Sequence, residues 1–246
     1  MYRFGSISRW GVLLATLGSL VLTGCQVTTR AVARERAGAE VLFNGTDLTG
    51  WAGVPGLWTV QDGAITGTTT AINPIKNNTF LVWTNGTVEN FELRLKYRIF
   101  NGNSGIQYRS QVVDADKAIV GGYQADLEAG KTYSGILYEE RGRGILAERG
   151  QRTRITEVDG KTKVTVLDTV AKGSELQPYI RDEDWNDYLI VANGNHFFHY
   201  INGKLMSEVI DDQPSKGAKS GVLAFQVHVG PPMKVQFKEI YLKRLP

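Results

Sequence analysis

The chain has 246 residues, 42% of them hydrophobic and 22% charged, with a formal net charge of +3. That much apolar material supports a sizeable core and argues against a disordered chain. A weak charge of mixed sign, with no basic run carrying interleaved aromatics, argues against nucleic acid as a partner.

The N-terminus reads as a leader. Arg3 and Arg9 precede the apolar run "GVLLATLGSLVL" (11–22), which is too short to span a bilayer comfortably. "LTGC" comes next and resembles a bacterial lipobox, which makes residues 1–24 a signal peptide and Cys25 the lipidated first residue of the mature chain. Cys25 is the one cysteine, so no intrachain disulfide can form. Residues 25–39 are then the lipidated cysteine and a polar tether, and 40–246 form the domain. Gln26, where sorted lipoproteins of the inner membrane carry Asp, points to a lipid anchor in the outer membrane.

From residue 40 the chain reads as short strands. "WTVQDGAITG" (58–67) predicts a hairpin around Asp62-Gly63. "NFELRLKYRIF" (90–100) alternates apolar and charged residues, as a half-buried antiparallel strand does. Residues 139–160 are charged and punctuated by glycine, which predicts a long surface loop with at most a turn of helix. "WNDYLIVANGNHFFHYINGKLMSEVID" (185–211) predicts three strands joined at Asn193-Gly194-Asn195 and Asn202-Gly203-Lys204. "VLAFQVH" and "VQFKEIYLKRL" complete the set. Many short strands with turn signals imply an all-β sandwich or barrel.

Alternation also sorts the polar residues. Gln107 and Arg109 oppose Ile106 and Tyr108. Gln124, Asp126 and Glu128 oppose Tyr123, Ala125 and Leu127. Ala224, Gln226 and His228 oppose Phe225, Val227 and Val229. Such faces of Gln, Arg, Asp, Glu and His suit a sugar site, because planar bidentate groups match pairs of hydroxyls. Each residue also has a plain structural reading: an outward carboxylate, an ion pair, a satisfied strand edge. His196 and His199 fall on opposite faces beside a turn and read as structural or surface residues. No nucleotide, zinc or serine-hydrolase motif is present. No cofactor is expected, although Asp126, Glu128 and His228 leave a hard divalent metal open.

The order of segments resembles a known family. "LFNGTDLTGW" (42–51), "WTVQDGAITG", "FELRLKYRIFNGNSGIQYRS", "GGYQADLE", "SGILYEERGRGIL", "DWNDYLIVANGNHFFHYINGKLMSEVID" and "GVLAFQVHVGPPMKVQFKEIYLKRL" are similar, in order, to motifs of the 3-keto-disaccharide hydrolase domain family. The resemblance implies an all-β, concanavalin A-like jelly-roll β-sandwich of two antiparallel sheets. It implies cleavage of an oligosaccharide or glycoside already oxidised to a ketone at sugar C3. The ketone acidifies the C2 proton, its loss expels the aglycone, and water adds back. That chemistry needs a base, an electrophile for the enolate oxygen and a proton donor.

Carried over by motif, the resemblance makes His228 the base or acid. Asp126 becomes its carboxylate partner or a second acid/base, and Arg109 a ligand of the keto or hydroxyl oxygens. Gln107, Gln124, Glu128, Gln226 and Glu139 complete the expected substrate-binding set. "GYQAD" stands where many members carry GYE-x-Q, and Phe225 replaces the usual Leu. Two alternatives remain. One is a non-catalytic carbohydrate-binding module on the cell envelope. The other is an ordinary glucanase, which would need two facing carboxylates about 5–9 Å apart. The chain is expected to act as a monomer.

Overall fold

The computed structural model describes Met1 and residues 38–246; the leader, Cys25 and most of the tether lie outside the described residues. Buried and open side chains alternate along most of residues 58–244, and that period builds strands. β1 (Glu40–Val41) and β2 (Trp51–Ala52) are short. β3 (Trp58–Gln61) and β4 (Ala64–Thr69) form the expected hairpin. Its turn residues Asp62 and Gly63 have φ of 51° and 70°, the left-handed pair that matches strand twist. β5 (Thr79–Trp83) leads to β6 (Phe91–Ile99), where Phe91, Leu93, Leu95, Tyr97 and Ile99 are buried and the residues between them half-buried. β7 (Asn103–Asp114) and β8 (Ile119–Glu128) come next.

Residues 139–160 are not a surface loop. They hold the end of β9 (Leu137–Glu140) and all of β10 (Gly144–Ala147) and β11 (Gln151–Val158). Leu146, Ala147, Thr153 and Ile155 face inward and are buried. The charges that suggested a loop are paired inside: Arg143 Nε donates to Glu139 Oε2 at 2.7 Å and Nη2 to Asp211 Oδ2 at 2.7 Å. β12 (Lys161–Thr169) forms the open edge beside β11, and the short helix lies later, at Gly173–Leu176. β13 (Asn186–Asn193), β14 (His196–Ile201) and β15 (Lys204–Asp211) are the predicted three strands. β16 (Val222–Val227) and β17 (Met233–Arg244) end the chain.

Two sheets result. One runs β12-β11-β15-β14-β13-β6-β17-β4-β3, with β1 paired to β17; the other runs β10-β9-β8-β7-β16-β5-β2. β11 and β15 pair in parallel, between antiparallel neighbours. The core lies between the inner faces. Phe225 of one sheet stacks on Phe237 of the other at 4.0 Å, and Trp51 stacks on Phe225 at 4.9 Å. Each such side chain contributes roughly 1.5–3 kcal/mol by leaving water.

The outer face of the seven-stranded sheet is not an ordinary solvated face. Gln107, Gln124, Asp126 and Gln226 are buried there, beside the small apolar cluster of Phe80, Val120 and Ala224. This face carries the site.

Candidate active site

Strand register assembles the site. Across β7 and β8, Gln107 faces Gln124, Gly105 faces Asp126 and Asn103 faces Glu128. Across β8 and β9, Gln124 faces Tyr138 and Gly122 faces Glu140. Gly105 is required by a close approach: a Cβ there would stand 2.3 Å from Gln124 Cδ. Over these strands lies a cavity of about 590 Å³. Its polar lining is Asn78, Asn103, Gln124, Asp126, Glu128, Glu140 and His228; Tyr133, Tyr138, Ile136, Ile145, Val229 and Pro231 add the apolar part. No Lys or Arg lines it among the described residues.

Asp126 is 5% exposed. Its Oδ1 accepts from Gln124 Nε2 at 2.8 Å and its Oδ2 from Asn103 Nδ2 at 3.2 Å. Burial pushes its pKa from 3.8 up to about 7, because the charged form loses hydration. The two amide donors oppose that rise, and the nearby Glu128 and Glu140 charges add to it. Such a carboxyl exchanges its proton near neutral pH, as a catalytic acid or base must.

His228 stands one residue beyond the end of β16 and is half-buried. Its Nδ1 lies 2.5 Å from the Val229 carbonyl oxygen. A carbonyl only accepts, so Nδ1 carries the hydrogen and the neutral ring keeps its lone pair on Nε2. Among the described residues Nε2 has no protein partner. His228 and Asp126 line the same cavity but are not hydrogen-bonded to each other, so the carboxylate–imidazole pair expected from the sequence is not formed. A buried carboxyl and an imidazole face one space instead.

Several expected site residues lie elsewhere. Arg109 sits at a β-bulge with φ of 46°, which reverses the alternation of β7 and turns its side chain away from Gln107. Its guanidinium donates to the carbonyls of Glu89 and Gly194, each at 2.6 Å, and to Asn90 Oδ1 at 3.0 Å. It also donates to the Ala218 carbonyl at 3.4 Å, so it ties three loops together, and it borders a different cavity of about 600 Å³. Glu139 faces Tyr123 across the pair, hence the inner side, where it binds Arg143; the carboxylate that reaches the cavity is its neighbour Glu140. Gln107 and Gln226 are fully buried behind the cavity wall, so neither offers a group to a sugar. Glu128 lines the cavity while its Oε1 accepts from the backbone nitrogens of Thr132 and Tyr133, which holds the 129–135 loop. Gln124 lines the cavity, as expected.

The other two histidines are structural, as read from the sequence. His199 is fully buried and bonded to Tyr108 Oη at 3.1 Å; burial lowers its pKa from 6.5 to about 3. His196 pairs with Glu208 at 2.8 Å. Among the described residues no three His, Cys, Asp or Glu side chains are grouped to hold a metal ion. Sequence reading missed Asn78, Asn103, Tyr138 and Glu140. Parity could have found Glu140: in "YEE" (138–140) one glutamate must face the core when the other faces out.

The model of the 3-keto-α-glucoside-1,2-lyase-like domain matches residues 38–243. A putative glycosyl hydrolase from Parabacteroides distasonis shares the fold at 19% identity and TM-score 0.55, over 86% of this chain and 96% of its own. The carbohydrate-binding module CBM66 from Bacillus subtilis is similar at 16% identity and TM-score 0.50, over 83% of this chain and 99% of its own. A galectin-like protein of unknown function from Bacillus subtilis is similar at 12% identity and TM-score 0.52, over 80% and 90%. No curated protein matches the chain. The fold is a concanavalin A-like jelly-roll β-sandwich, and the chain belongs to the 3-keto-α-glucoside-1,2-lyase-like domain family.

Proposed function

We propose that the cavity cleaves a 3-keto-glycoside by removing the C2 proton, eliminating the aglycone and adding water. The observation that carries this reading is the buried Asp126, held near neutral pKa, facing one cavity with the unpartnered Nε2 of His228. His228 Nε2 takes the C2 proton. The electron pair moves into the C2–C3 bond and onto the keto oxygen. Among the described residues no Lys or Arg lines the cavity, and protonated Asp126 is a donor for that oxygen. Collapse of the enolate breaks the bond from C1 to the aglycone, whose oxygen takes the proton that His228 Nε2 removed from C2. Water then adds across the new double bond, giving net hydrolysis. Tyr133 and Tyr138 offer aromatic surface for the sugar at the cavity wall.

The test is to incubate the full chain in detergent with 3-keto-trehalose or a 3-keto-glucoside and to assay released sugar. Release is expected from the ketone and not from the unoxidised glycoside. Binding without release would support a carbohydrate-binding module instead. Release from the unoxidised glycoside would support an ordinary glucanase.

The leader motif supports a lipid-anchored protein of the bacterial outer membrane, held through Cys25. Radiolabelled palmitate is expected in the wild-type chain and absent after Cys25→Ser. Equal labelling of both would sink the anchor.

A further inference from the structure

Behind Asp126 three glutamines form a buried chain that the proposed chemistry has not used. Gln107, Gln124 and Gln226 lie on β7, β8 and β16 and are each at most 2% exposed. Gln107 Nε2 lies 2.8 Å from Gln124 Oε1, and Gln124 Nε2 lies 2.8 Å from Asp126 Oδ1. Gln226 Nε2 also reaches Gln124 Oε1, at 3.0 Å, and Glu140 Oε2 at 3.4 Å. In this direction every donor points toward an ionised Asp126.

In that direction Gln107 Oε1 accepts from Ser110 Oγ at 2.6 Å, but it also faces the carbonyl oxygens of Tyr123 and Gly122, which cannot donate and are left without the amide nitrogen they could bond. Turning the Gln107 amide puts its nitrogen 3.0 Å from the Tyr123 oxygen, 3.3 Å from the Gly122 oxygen and 2.6 Å from Ser110 Oγ. The turn brings the Gln107 oxygen to 2.8 Å from Gln124 Oε1, two acceptors in contact, unless Gln124 turns as well. A turned Gln124 presents its oxygen to Asp126 Oδ1, and that contact is a hydrogen bond only when Asp126 carries a proton.

The chain therefore has two directions, each matched to one protonation state of Asp126. Gln107 is better satisfied in the protonated direction, while Gln226, donating to Gln124 and Glu140, favours the ionised one. We infer that Gln107, Gln124 and Gln226 are positioning residues whose amides reverse together as Asp126 gains and loses its proton, keeping its carboxyl hydrogen-bonded in both states. Only torsions change; the proton enters and leaves at Asp126 Oδ1 from the cavity. The inference rests on Asp126 being the proton-exchanging group of the proposed reaction. It also accounts for three amides where a strand face would more cheaply carry apolar side chains. The other groups facing Asp126 are Glu128 on its own strand, Glu140 and Tyr138 on β9, Tyr188 on β13 and His228 beyond β16.

The test is an NMR titration of the full chain without sugar. It tracks the Asp126 Cγ signal and the side-chain 15N signals of the three glutamines. In the wild type, the Gln107 and Gln124 signals are expected to move with the Asp126 midpoint. Gln107→Met is expected to lower that midpoint and Gln226→Met to raise it, each by about half a pH unit or more. Opposite signs are the signature, since general loosening or drying of the site would move both variants one way. Shifts of the same sign, or wild-type amide signals that stay still through the Asp126 midpoint, overturn the inference. If a variant fails to fold, the wild-type titration decides alone. No sugar is involved, so failure to turn over a 3-keto-glycoside would count against the reaction and not against the amide chain.

Discussion

Replacing His228 with Gln is expected to lower kcat on a 3-keto-glycoside about 10²–10⁴-fold, the usual contribution of one positioned base. The fold should survive. His228 lies past the end of β16 and is only half-buried, and its backbone nitrogen bonds Met233 Sδ at 3.2 Å whatever the side chain. A glutamine amide can still donate to the Val229 carbonyl as Nδ1 does. It cannot accept the C2 proton at any useful pH. The loss should therefore appear in kcat, with KM little changed, because ground-state contacts from the cavity wall persist. A variant with wild-type kcat would falsify the assignment of His228 as base. A fall in thermal stability matching the fall in rate would instead mark a packing role.

The second large effect concerns Asp126, where function and stability oppose each other. Its pKa is raised from 3.8 to about 7, chiefly by burial. The native state thus holds this proton more tightly than the unfolded chain does. The corresponding stability is present below the unfolded value and is lost as pH rises through about 7. Above that point the buried charge costs about 2–4 kcal/mol. Asp126→Asn has no charge to bury and can still hydrogen-bond Gln124 and Asn103. The variant is expected to melt higher than the wild type at pH 8, by about 2–4 °C per kcal/mol for a chain of this size. The gap should be smaller near pH 5 and should close below about 3.8, the unfolded value. His199 also titrates on the acid side, but both proteins carry it, so their difference isolates Asp126. Turnover should fall with the substitution. A melting difference that does not change between pH 5 and pH 8 would mean that Asp126 is an ordinary carboxylate.

Both expectations depend on residues that alternation could place on a face but not in a site. Period-two patterning identifies β6, the β3–β4 hairpin, the three strands from 186 to 211, and the outward set Gln124, Asp126 and His228. It fails where the local rule breaks. At Arg109 a bulge with positive φ reverses the face, and one sequence has no mark for that strain. At Glu139 and Arg143 the charges look solvated because sequence shows no partner; Asp211, 68 positions from Arg143, supplies one. Residues 139–160 resemble a loop for the same reason, since buried ion pairs mimic a loop's composition.

The sequence by itself determined the strand pattern, the turns, the all-β class and, through its ordered motifs, the family. These arise from interactions within a few residues, or from text that can be compared directly. Only the tertiary structure decided which carboxylate faces the cavity, that Arg109 leaves it, and that Gln107 and Gln226 stand behind Asp126. Those outcomes depend on the register between strands distant in the chain, and register is set by packing across the sandwich.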